Sequence, residues 1–133
     1  MKVSFSILII TIIISFFPLS SYDFFWHLKT GEYIFQNGIP KEDPFSYNSR
    51  GKWINHAWGW DILVFLLHKI GGFNLLFFFK YLLVFLMAYF LYLLCKDKKF
   101  SYFFSFSLIF WALSLARHRL DIRPDGMGHL LFL

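Results

Sequence analysis

DFFWHLKTGEYIFQNGIPKEDPFSYNSRGKWINHAWGW, from Asp23 to Trp60, is a polar, tryptophan-rich run lodged between long apolar segments. Trp26, Trp53, Trp58 and Trp60 stand there beside Asp23, His27, Lys29, Asp43 and His56. Indole rings next to ionisable groups have the composition of a loop held at a lipid–water boundary. Candidate chemistry is therefore sought there first.

The chain around this loop is 58% hydrophobic and 24% aromatic with only 16% charged residues, too little polar surface for a soluble domain of 133 residues. A helix needs about 20 mostly apolar residues to cross the hydrocarbon layer, because its backbone groups must pair within the segment. The runs Val3 to Leu19, Phe73 to Cys95 and Phe100 to Ala116 meet or approach that length, and a fourth begins near Met127 and reaches Leu133 without a polar stop. The expectation is an all-α, polytopic transmembrane helical bundle, with a long outer loop over residues 20–72 that contains short interfacial helices. Residues 1–133 then form a single N-terminal membrane domain, the front of a longer chain. The lone Cys95 excludes an intramolecular disulfide and reads as a small packing residue.

Lys2 and the cluster Lys96-Asp97-Lys98-Lys99 bracket an even number of crossings, which predicts a cytoplasmic N-terminus in the cytoplasmic (inner) membrane, and an external first loop. A cleaved signal peptide is the competing reading, but Leu19 stands where a cleavage site wants a small residue. Arg117, Arg119 and Arg123 fall on the outer face, against the usual charge bias. The net charge of +5 is accounted for by these arginines and the membrane-flanking lysines, so no nucleic-acid partner is expected.

Within the loop, Ser20 or Ser21 can cap a helix from about Asp23 that stops at Asn37-Gly38, with Pro40 beyond. Asn55 can cap a second, interfacial helix from His56 to Ile70, ended by Gly71-Gly72. A membrane span from Asp61 to Phe79 is the alternative register, and it would place His68-Lys69 deep in lipid. Lys80 lies inside the second apolar run and is expected to snorkel toward the outer interface.

On a helix beginning near Asp23, His27 lies one turn on along the same face, so a carboxylate and an imidazole can share one small volume. Such a pair can act as a general base with its orienting partner. The plainer reading is a helix-start carboxylate favoured by the macrodipole beside a polar interface histidine. Three guanidinium groups beside the bilayer suit a lipid phosphate or pyrophosphate through bidentate hydrogen bonds, or simple adhesion to anionic lipid. A metal site built from Asp23, His27, His56 and His118 lacks any tight ligand spacing, and none is assigned.

The order Asp23-Phe24-Phe25-Trp26-His27-Leu28-Lys29-Thr30-Gly31-Glu32, Gly38-Ile39-Pro40, Asp43-Pro44-Phe45-Ser46-Tyr47 and Trp53-Ile54-Asn55-His56-Ala57-Trp58 resembles the first outer loop of bacterial multi-pass glycosyltransferases of the GT-C superfamily. The resemblance runs from about Ser20 to Pro124 and covers only the front of such proteins. It implies transfer of a sugar from a polyprenyl-phosphate-linked donor to an acceptor at the outer face, in building the cell envelope. Asp23 occupies the place of the superfamily's acidic residue and would be the general base, with His27 beside it. Lys29, His56, Asp61, Arg117, Arg119 and Arg123 would meet substrate, the arginines at the leaving phosphate. Ala57 stands where relatives often carry an acid after the histidine, so that role is lost or passes to Asp61. Phe24 and Phe25 replace a second acid beside Asp23, which leaves a divalent metal open. Expected partners are the lipid-linked donor and membrane lipid. The competing class is a non-catalytic membrane protein, such as a subunit or transporter fragment, whose aromatic loop only anchors it.

Overall fold

Helices form in three of the apolar runs and at both ends of the polar loop. The computed structural model describes residues 2–15, 22–47 and 52–116, together with 120, 122 and 124. Among them lie α1 (Lys2–Ser15), α2 (Tyr22–Asn37), α3 (Trp58–Asp97) and α4 (Tyr102–Ala116), and no strand, so the fold is all-α. One helix among the described residues, α3, is long and apolar enough to cross a bilayer, with 40 residues and a mean hydropathy of 2.0 in its most apolar window. The apolar α1 and α4 are shorter, at 14 and 15 residues. The caps expected at Ser20 or Ser21, the end of the first apolar run and the fourth run from Met127 lie outside the described residues.

Gly72 divides α3 into two arms. Its φ of 60° and ψ of −153° belong to a region that a Cβ all but forbids, so the break falls where only glycine is tolerated. The chain also divides into two compact units, residues 22–76 and residues 1–21 with 77–133.

The second of these units packs α1, the later arm of α3 and α4 around one apolar core. Ile7 and Ile14, two turns apart on α1, meet Val84, Met87 and Ala88 of α3, Ile109 and Leu113 of α4, and Leu120. Two buried hydroxyls in these helices bond to the preceding turn, Thr11 Oγ1 donating to the Ile7 carbonyl at 2.9 Å and Ser105 Oγ to the Ser101 carbonyl at 3.0 Å, whereas Ser15 Oγ has no hydrogen-bond partner among the described residues. The side chains of Ser6 and Tyr102 tie α1 to α4 at 2.8 Å. Lys80 is enclosed, 4% exposed and engaged within the fold, where snorkelling was expected. Large apolar side chains cover the outside of this unit, with Phe103 82%, Leu115 80% and Ile13 58% exposed.

The turn between α3 and α4 is a Schellman motif. Phe100 N donates to the Cys95 carbonyl and Lys99 N to the Lys96 carbonyl, with Lys99 in the left-handed region at φ 58°. Ser101 then caps α4 by accepting from Phe104 N at 3.3 Å.

In the unit of residues 22–76, α2 lies against the first arm of α3. Its buried stripe, Phe24, His27, Thr30, Gly31 and Ile34, follows the helical repeat and faces a stripe of Trp60, Asp61 and Val64. Gly31 marks the closest approach: a Cβ there would stand 2.0 Å from the Asp61 carbonyl oxygen and 2.8 Å from Phe65 Cβ. Phe24 reaches Phe73 and Phe35 reaches Phe65, at ring separations of 6.4 and 5.4 Å. Helix α2 ends as its sequence implies, with Gly38 at φ 80° and its N–H bonded to the Ile34 carbonyl at 2.9 Å. The following loop is held by an Asx turn from Asp43 to Phe45 N and by Trp53 N bonded to the Lys41 carbonyl.

Candidate functional site

The site is built at the crossing of α2 and the first arm of α3. Asn55 lies just before α3, and its Oδ1 accepts a hydrogen bond from Ala57 N at 2.9 Å. That bond orients the amide, because the oxygen is committed to a backbone donor and the NH₂ group must point the other way. Asn55 Nδ2 accordingly donates to Asp61 Oδ2 at 2.5 Å. The other carboxylate oxygen, Oδ1, lies 2.6 Å from His27 Nδ1. Asp61 is fully buried and His27 is 8% exposed.

An isolated buried carboxylate is heavily penalised, and two donors are what make this one tolerable. An ionised carboxylate only accepts, so His27 Nδ1 is the donor of this contact. Nε2 makes no hydrogen bond among the described residues and is not fully enclosed. The arrangement is thus a buried carboxylate–imidazole pair with one ring nitrogen open. The neighbouring Thr30 is also fully buried and its Oγ1 has no hydrogen-bond partner among the described residues, for which the structure offers no explanation.

The residues singled out in the sequence are placed unevenly. Asp23 is exposed in the first turn of α2. The carboxylate bonded to His27 Nδ1 belongs to Asp61, whereas the sequence reading gave His27 the helix neighbour Asp23 as its partner. Asp61 was expected to meet substrate, yet it has no exposed surface and both its oxygens are taken. It can act only through His27. His56 is exposed in the turn that leads into α3. Lys29 is exposed and paired with Glu32 at 2.6 Å, an i, i+3 surface contact of little energetic weight. A cavity of about 280 Å³ runs beside this pair, lined by Phe25, Leu28, Lys29, Glu32, Phe65 and His68. Arg117, Arg119 and Arg123 lie outside the described residues. Among the described residues no three His, Cys, Asp or Glu side chains are grouped to hold a metal ion.

Asn55 is the member of the site that sequence reasoning saw only as a helix cap. Its second role had no signal of its own, since Asp61 lies six positions away across a turn. Comparison with protein-family models, with curated proteins and with solved structures gives no match.

Proposed function

We propose that this chain belongs to a multi-pass membrane glycosyltransferase that moves a sugar from a polyprenyl-phosphate-linked donor to an acceptor hydroxyl at the outer face of the cytoplasmic membrane. In this reading α1, the later arm of α3 and α4 are parts of a polytopic bundle. The apolar length of α3 and the outward Phe103, Leu115 and Ile13 support it, because such surface is stable against lipid and costly against water.

The observation that carries the proposal is Asp23, an exposed carboxylate on the first turn of a helix clamped to the start of α3. The clamp is a backbone-close crossing at Gly31 and the buried His27–Asp61 hydrogen bond, so the carboxylate is presented from a rigid element. Asp23 takes the proton of the acceptor hydroxyl as that oxygen bonds to the anomeric carbon. The bond from the anomeric carbon to the phosphate oxygen breaks, and its electron pair leaves with the polyprenyl phosphate. Positive charge from Lys29 would stabilise that leaving group as its charge grows.

Losing a positioned base costs a factor of about 10² to 10⁴ in rate, whereas losing a surface carboxylate at a helix start leaves chemistry untouched. Asp23→Asn, assayed in membranes at matched expression with the donor-lipid fraction of the same cells, is expected to fall by that factor. Transfer within a few-fold of the parent would remove Asp23 from the reaction.

A further inference from the structure

A chain of hydrogen bonds starts at the backbone and ends on an open imidazole nitrogen. Ala57 N–H holds Asn55 Oδ1, Asn55 Nδ2 donates to Asp61 Oδ2, and Asp61 Oδ1 accepts from His27 Nδ1. Each link fixes the polarity of the next. The backbone N–H can only donate, so the Asn55 amide cannot flip without losing two bonds. The amide then donates to a carboxylate that has no exposed surface. In a neutral imidazole this contact keeps the proton on Nδ1 and leaves a lone pair on Nε2.

We propose that Nε2 of His27 is a substrate-binding acceptor for a sugar or acceptor hydroxyl, and that Asp61 and Asn55 are positioning residues that set its tautomer. This rests on the sugar-transfer reading above and adds to it a second contact, one helical turn from Asp23. Hydroxyl is the matching chemistry because an Nε2 lone pair needs a donor, and a sugar presents several hydroxyl donors. Burial of the pair explains why the arrangement is worth keeping. A histidine at the surface samples both tautomers, whereas here the backbone of one helix start dictates the ring on the other helix. Asp61→Asn would reverse the last link, since an amide can donate to Nδ1 and drive the proton to Nε2, turning the acceptor into a donor.

The test has two parts, both on the full chain in membranes or lipid nanodiscs. Nitrogen-15 spectra of histidine-labelled protein, with His27→Gln to assign the signal, are expected to show His27 protonated at Nδ1 and bare at Nε2. A parent His27 protonated at Nε2 would overturn the proposal whether or not any variant folds. In transfer assays with the same donor-lipid fraction, Asp61→Asn is expected to raise KM for the hydroxyl-bearing substrate about tenfold, the scale of one hydrogen bond, with kcat changed less. Asn55→Ala should shift KM in the same direction. A parent active in transfer with KM unmoved in both variants would overturn the His27 contact and leave the sugar-transfer reading standing. A parent without transfer activity would overturn that reading itself, while the nitrogen spectra would still report the tautomer.

Discussion

Single side chains at the α2–α3 crossing serve two ends at once. Asp61 stabilises His27 and accepts from Asn55, so it is both a packing residue of the interface and the group that defines the state of the imidazole. Gly31 is the least replaceable of its neighbours. Glycine inside a helix costs about 1 kcal/mol relative to alanine, so its presence in mid-α2 needs a reason, and the Asp61 carbonyl 2.0 Å from its would-be Cβ supplies one. Backbone cannot step aside as a flexible side chain can. Gly31→Ala is expected to destabilise the protein by about 2–3 kcal/mol through overpacking, read by denaturant unfolding followed by tryptophan fluorescence. Because the clash is with Asp61 itself, the same variant should also lose the His27 Nδ1 signal; a stable Gly31→Ala protein with that signal intact would show that the crossing is looser than described.

At the scale of elements, helix ends were legible where glycine marks them. Asn37-Gly38 with Pro40 beyond, and Gly71-Gly72 inside the long helical stretch, are positions where a local backbone preference and the fold agree. The end of α3 is a different case, because Lys99 adopts the left-handed conformation that glycine usually takes. An L-residue there costs roughly 1–2 kcal/mol, partly offset by the lower chain entropy of a non-glycine residue when unfolded. Lys99→Gly is therefore expected to stabilise the α3–α4 turn by about 0.5–1 kcal/mol, seen as a higher thermal midpoint in micelles. An unchanged or lower midpoint would mean that the lysine charge itself matters at this turn. Its charge is the stronger signal in the sequence, and in the proposed topology it bears on the side of the membrane rather than on the shape of the turn.

For the whole molecule, the proposed bundle places the turn after α3 in the cytoplasm and the loop after α2 outside. Cysteines introduced at the exposed Ser46 and at the exposed Asp97 should then react differently with an impermeant thiol reagent applied to intact cells, with position 46 labelled and 97 protected. Cys95 is buried and adds little background. Labelling at 97 alone would invert the topology and move Asp23 away from the outer face. The all-helical class, the ends of α2 and the break at Gly72 follow from sequence by itself, because composition, the 3.6-residue repeat and glycine's backbone freedom are all local properties. The partner of His27 does not. Asp61 lies 34 positions away, and nothing local distinguishes it from Asp23, which stands one helical turn from the same ring. Only the crossing of two helices, close enough that Gly31 carries no side chain, brings the buried carboxylate to the imidazole and makes Asn55 more than a cap.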